Sequence, residues 1–322
     1  MRFNTALSSI GAAVVLLAAP LGAAHAAYSQ IVAFGDSLSD NGNVFATTKG
    51  ALGFGLPTAP YWNGRFSNGP VAVEVMAQTL GISLVDYAFG GALTGTTNRA
   101  GVPGLPGIQN EVDQFTNGLT AAGKTADASA LYFLWGGAND FFSATDKAAA
   151  LAPAIANLTG QVSQLHGVGA RDFFVPLMPD LANTAAAIAA GPQAQAQAHA
   201  LSVLFNTNLT AALSGLQGSL SGATIRVFDP NPSLTVARDA ILAAGGTAGQ
   251  PCWTGNYTGS GGTLCANPDL HVLWDGVHPT AVLHQAMGQA MAAAVPEPEV
   301  TGLALVGLLI AGVAVARQRR QA

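Results

Sequence analysis

The sequence predicts a three-layer α/β/α domain on a central parallel sheet of five strands, and three observations carry that prediction. Short apolar or aromatic runs recur at 31–34, 84–87, 131–135, 173–177 and 225–228, brief and apolar as buried parallel strands should be. Helix-like stretches alternate with them at 71–80, around 109–115, at 148–165 and along the alanine-rich run 194–216. Such alternation is the pattern of a sheet covered on both faces. The third observation is that glycines and polar residues gather directly after the strands, where an open α/β sheet binds its ligands.

The two ends of the 322-residue chain read differently from this body. Residues 1–26 have the order of a secretory signal: Arg2, an apolar run from Ala6 to Leu21, and Ala24-His25-Ala26 as a small-x-small cleavage site. At the other end, residues 295–322 hold Val295-Pro296-Glu297-Pro298, then 17 uncharged residues from 300 to 316, then Arg317, Arg319 and Arg320. Seventeen residues lie at the short limit of a transmembrane helix, and trailing arginines favour the cytoplasmic side. That tripartite order resembles the PEP-CTERM sorting signal of Gram-negative bacteria. The resemblance implies a temporary membrane anchor, an exosortase-type processing enzyme as partner, and delivery to the cell surface or beyond; an ordinary C-terminal anchor is the alternative.

Between the ends, residues 27–294 show no linker, repeat or charge block and read as one domain. Of 12 basic residues, the four at the chain ends set aside leave 8 against 17 acidic, which argues against nucleic acid as a partner. Cys252 and Cys265 stand in a Gly/Thr-rich stretch without a second Cys/His cluster, so an exported chain is expected to join them as a disulfide rather than bind metal. Their position stiffens a loop just before the segment DLHVLWDGVHP.

The chemistry-bearing segments follow the strands. After the first comes FGDSLSDNGN, which would set the Ser37 hydroxyl in the crevice at the strand end. A serine alkoxide does not form unaided, so this reading needs a base and donors for a developing oxyanion. After the second strand, Gly90-Gly91 in DYAFGGALTG permits close backbone approach and a free N–H. After the third, Asn139 in WGGAND can donate to an oxyanion without titrating, although Asn-Asp pairs also serve as helix caps. Of six histidines, His278 is distinguished by WDGVHPT, where Asp275 precedes it by three residues and can orient its imidazole. Asp36 and Asp40 read as turn residues, and no second carboxylate cluster at metal-ligand spacing accompanies them.

Taken together, Gly-Asp-Ser-Leu, Gly-Gly, Gly-x-Asn-Asp and Asp-x-x-His-Pro in that order resemble the GDSL, or SGNH, hydrolase superfamily, over residues 31 to about 293. The stretches GRFSNGPVAVEVMA and DYAFGGA are similar to its lipolytic branch, with bacterial phospholipase-like haemolysins and plant GDSL lipases. The resemblance implies a flavodoxin-like SGNH fold. It also implies Ser37 as nucleophile, His278 as base and Asp275 as its orienter, with the oxyanion held by Ser37 N–H, Gly91 N–H and the Asn139 amide. Gly91 is preferred to Gly90 by its register in DYAFGGA, and Asp86 departs from the asparagine often found before Tyr87 in that branch. The expected activity is hydrolysis of a carboxylic ester through an acyl-enzyme, with no cofactor and no metal. Acyl transfer by the same site, or a non-catalytic surface or matrix protein, are the alternatives. The tail favours an acylated polymer as substrate and the lipase-like branch an acyl lipid or short ester. Aromatics in ALGFGLPTAPYWNGRF either line the acyl site or, as preferred for Trp62, pack on the sheet.

Overall fold

The computed structural model describes residues 28–295, so the expected signal segment and all but the first residue of the sorting tail lie outside the described residues. Five parallel strands form one sheet: β1 (Gln30–Gly35), β2 (Ser83–Asp86), β3 (Leu131–Trp135), β4 (Asp172–Pro176) and β5 (Thr224–Phe228), in the order β2-β1-β3-β4-β5. That order makes the chain wind outward in both directions from β1 and β3, leaving a crevice at their carboxyl ends. The helices are α1 (Asn43–Leu52), α2 (Ala72–Leu80), α3 (Ile108–Ala121), α4 (Ala138–Ser143), α5 (Lys147–Gly167), α6 (Ala185–Ala190), α7 (Pro192–Gln217), α8 (Asn231–Ala243) and α9 (Ala281–Ala293).

Alternation along the central strands assigns residues to two cores. Val32, Phe34, Tyr132, Leu134, Phe173 and Val175 face α3, α5 and α7, where they meet Val112, Leu158 and Phe205. Ile31, Ala33, Leu131, Phe133, Trp135 and Phe174 face the other way, onto Val73 and Met76 of α2 and Met287 and Met291 of α9. The sheet is thus covered on both faces. α2 and α9 approach closely because position 288 is glycine: a Cβ there would stand 2.5 Å from the Ala72 carbonyl oxygen.

Only the three central strands are buried as expected. β2 and β5 are edge strands with partly exposed residues, because each has a neighbour on one side alone. Among the described residues, no helix is long and apolar enough to cross a membrane.

Candidate active site

The crevice between β1 and β3 holds Ser37 and Asn139 on its two walls. β1 can end against β3 because position 35 is glycine, where a Cβ would lie 2.5 Å from the Trp135 carbonyl oxygen. The chain then turns on Asp36, whose carboxylate accepts the Leu38 N–H, and presents Ser37. Burial pushes the Asp36 carboxyl up to about 6, partly offset by that backbone donor and by His278.

The Ser37 hydroxyl lies 2.8 Å from His278 Nε2, and His278 Nδ1 lies 2.7 Å from Asp275 Oδ2. All three residues are buried. The Asp275 carboxylate is saturated with donors. Its Oδ1 accepts the backbone N–H groups of Val277 and His278, both at 2.9 Å. Its Oδ2 also accepts the Tyr61 hydroxyl at 2.7 Å. Burial by itself would raise this carboxyl, but His278 and the hydrogen bonds outweigh it and hold it below the ordinary carboxylate value. Tyr61 is pushed the other way, by burial first and then by Asp275, and stays a donor.

Opposite the serine lie the donors. Gly90 N–H is taken by Asp40 Oδ2 at 2.8 Å, whereas Gly91, at φ +80°, makes no hydrogen bond through its N–H among the described residues. The Ser37 N–H is likewise without a partner among the described residues. Asn139 gives one amide hydrogen to the Ala92 carbonyl at 3.0 Å, which leaves the other for the cavity. Its Oδ1 faces the Arg99 guanidinium at 3.4 Å, which fixes the sense of the amide. The structure therefore brings Ser37, Gly91, Asn139 and His278 to one cavity, with Asp275 behind His278, and distinguishes Gly91 from Gly90 by which N–H is free.

Three carboxylates hold these loops in register: Asp40, expected as a turn residue, Asp86, and Glu111, which the sequence did not single out. Asp40 accepts four backbone N–H groups, from Gly42, Asn43, Val44 and Gly90. It thereby ties the Ser37 loop to the Gly90-Gly91 loop. Glu111, fully buried on α3, accepts Gly35 N–H at 2.8 Å and Phe89 N–H at 3.1 Å, joining the ends of β1 and β2. Asp86 accepts from Asn41 and Ala88, so the carboxylate at the position often held by asparagine caps both loops. Burial pushes Asp40 up to about 6 and Asp86 and Glu111 well above the usual range.

Behind Asp275 the chain is braced by covalent and aromatic contacts. Cys252 and Cys265 form a disulfide, and Cys252 packs with Tyr61, Trp253 and Trp274. Cys252 N–H and Trp253 N–H donate to the carbonyls of Leu273 and Trp274, directly before Asp275. Phe66 lies with its ring 5.3 Å from that of His278. Trp62 does not pack on the sheet: it is 38% exposed, beneath the Arg65 guanidinium, and its neighbour Tyr61 takes the interior position. Among the described residues, no cluster of three or more His, Cys, Asp or Glu side chains could hold a metal ion.

The GDSL-like lipase/acylhydrolase family model matches residues 31–291, from the first strand to the last helix. The chain belongs to that family. Among curated relatives, an uncharacterized protein of the trpE-trpG intergenic region in Pseudomonas putida is 31% identical over 80% of this chain and 47% of its own length. The thermolabile hemolysin of Vibrio parahaemolyticus is 27% identical over 82% of this chain and 63% of its own. The phosphatidylcholine-sterol acyltransferase of Aeromonas hydrophila is 26% identical over 83% of this chain and 90% of its own. The chain thus spans about half the length of the first of these and less than two thirds of the second.

Proposed function

We propose that the protein is an exported serine esterase that cleaves carboxylic esters through an acyl-enzyme on Ser37. The observation that carries this reading is the relay from Ser37 Oγ to His278 Nε2 at 2.8 Å and from His278 Nδ1 to Asp275 Oδ2 at 2.7 Å, with Ser37 and His278 lining a cavity. His278 accepts the serine proton as Oγ attacks the ester carbonyl carbon, and Asp275 steadies the imidazolium. The oxyanion meets Ser37 N–H, Gly91 N–H and the free Asn139 amide hydrogen. Collapse of the tetrahedral intermediate breaks the bond to the alcohol, whose oxygen takes the proton from His278. Water then attacks the acyl-serine with His278 as base, releases the acid and returns the proton to Ser37. No step requires a metal or an organic group.

Export is supported by the leader-like residues 1–26, and a passage through the membrane with release by an exosortase-type enzyme by the Pro-Glu-Pro, apolar and basic order of the tail. Acyl transfer to an alcohol instead of water is a second reading, favoured by the acyltransferase among the relatives. The two share every step up to the acyl-enzyme.

The test is turnover of p-nitrophenyl esters from acetyl to long acyl by the purified protein and by a Ser37→Ala variant of matched fold. Release of p-nitrophenol that disappears in the variant supports the esterase; undiminished release in the variant sinks it. Product partition in added alcohol separates hydrolysis from transfer.

A further inference from the structure

The cavity over Ser37 is about 770 Å³, and its two ends differ in chemistry. A volume of roughly 300–1,000 Å³ suits a cleft that buries most of a small ligand. Sheet order says which end lies where, since β1 has β2 on one side and β3, β4 and β5 on the other. On the β2 side the wall is Val44, Leu56, Phe66, Val102 and Leu105, which pack as one apolar cluster with Phe89. On the β4–β5 side it comes from the segment after β4 and from α7 and α8, and presents Asn183, His199, Thr207, Thr235 and Arg238 among Leu177, Leu181, Val203 and Leu234.

Some polar groups at that end are already used to build it. Asn206 holds both the N–H and the carbonyl of Met178, Asn231 holds the Asp180 N–H and Met178 carbonyl, and Ser202 holds the Leu181 N–H. Others are open. The hydroxyls of Thr207 and Thr235 make no hydrogen bond to protein among the described residues, and both residues are exposed on their helices. His199 engages Asp180 through Nδ1 at 2.7 Å, which leaves Nε2 uncommitted, and Arg238 reaches Asn183 at 3.4 Å. The Arg238 guanidinium is paired with Asp239 at 3.3 Å, and Asp180 and Asp229 line the same end, so the wall is not a phosphate trap. Hydroxyl donors and acceptors with compensated charge match neutral hydroxyl groups, which an apolar wall would leave unpaired. The strand-like segment leading to His278 packs on α8 through Val272, Leu273 and Leu234, so the residue that protonates the departing oxygen is continuous with this polar end.

Resting on the esterase reading, we propose that the β4–β5 end is a subsite for the alcohol half of the substrate and that this alcohol is hydroxyl-rich, a sugar or polyol. The acyl half lies along the Val44–Phe66–Leu105 wall. The enzyme is then selective for amphiphilic esters, with an apolar acid joined to a polar alcohol.

The test compares kcat/KM for hexanoyl glucose, butyl hexanoate and hexanoyl glycerol phosphate, which share an acyl group. The subsite predicts hexanoyl glucose ahead of butyl hexanoate by about tenfold, the effect of one or two neutral hydrogen bonds. Thr207→Val and Thr235→Val each lower that ratio by roughly three- to tenfold. Leu105→Trp shortens the longest acyl chain accepted whichever alcohol is used. Equal rates for the glucose and butyl esters, or a ratio unmoved by both valine variants, would overturn the subsite, and first place for the glycerol phosphate ester would overturn it in favour of an anionic headgroup. Ser37→Ala keeps the two readings apart: full loss of turnover in that variant together with a flat ratio in the wild type removes the subsite alone, whereas turnover retained in the variant removes the esterase.

Discussion

At the residue scale, the contact that sequence reasoning did not foresee is Tyr61 on Asp275. Its hydroxyl shares Oδ2 with His278 Nδ1, so it draws negative charge from the atom that steadies the imidazolium. Tyr61→Phe keeps the ring that packs on Trp274 and Phe66 and removes only that donor. The carboxylate then pairs more strongly with imidazolium, so the acid limb of the kcat/KM profile moves to higher pH; a limb unmoved by the substitution would assign Tyr61 to packing alone. Across the cavity, Asn139→Ala removes a proposed oxyanion donor and is expected to lower kcat by on the order of 100-fold, with a smaller change in KM. Ser37, Asn139, Asp275 and His278 were legible because each follows its strand or turn with a residue type that packing does not demand. Tyr61 was not, since a tyrosine in a Pro- and Gly-rich loop carries no local sign of a partner 214 positions away.

At the element scale, the loops after β1 and β2 are held to one another by buried carboxylates on backbone N–H groups. Asp40→Asn sets an amide nitrogen against backbone donors and frees Gly90, the neighbour of Gly91, the proposed oxyanion donor. A loss of about 1–3 kcal/mol is expected, read as a lower urea midpoint together with lower kcat. The disulfide loop acts on the other side of the site, through the hydrogen bonds of Cys252 and Trp253 to Leu273 and Trp274. Replacing both cysteines by serine should cost about 3 kcal/mol for a loop of this length. Chemical denaturation of the double variant against wild type measures it. All five strands were legible as short apolar or aromatic runs, while α1, α4, α6, α8 and α9 were not read from the sequence. α9 is alanine-rich with Gly288 inside it, and its only exposed polar stripe is the pair Gln285 and Gln289, too little to mark a helix in the sequence. Glu111 was hidden for a related reason: a charged residue early in a helix reads as solvated, and only the packed fold shows it capping two strand ends.

At the scale of the whole molecule, burial of ionisable groups sets how stability follows pH. His284 is buried in α9, accepts the Ala72 N–H, and is pushed down to about 3 by burial, with His278 as a smaller cause. Its folded pKa lies below the unfolded value of about 6.5, so the unfolded chain takes the proton first. The stability contributed by neutral His284 is therefore full above that value and lost as pH falls toward 3. Asp36 and Asp40 run the opposite way: raised to about 6, they contribute fully in acid and lose it as pH rises through that value. Comparing wild type with His284→Gln isolates the histidine, and the gap in urea midpoint should close between about pH 6.5 and 4. A gap constant over that range would contradict the assignment. The doubly wound architecture itself was legible, because strand and helix alternate along the chain and the order β2-β1-β3-β4-β5 places every chemistry-bearing loop at one edge.

The acyl-enzyme on Ser37 is the claim on which the rest depends, and intact-mass measurement after treatment with a fluorophosphonate tests it most directly. A single adduct in wild type, none in Ser37→Ala, and slowed labelling in His278→Ala are the predicted results. Labelling of Ser37→Ala to the wild-type extent, or ester hydrolysis that persists in fully labelled protein, would contradict it.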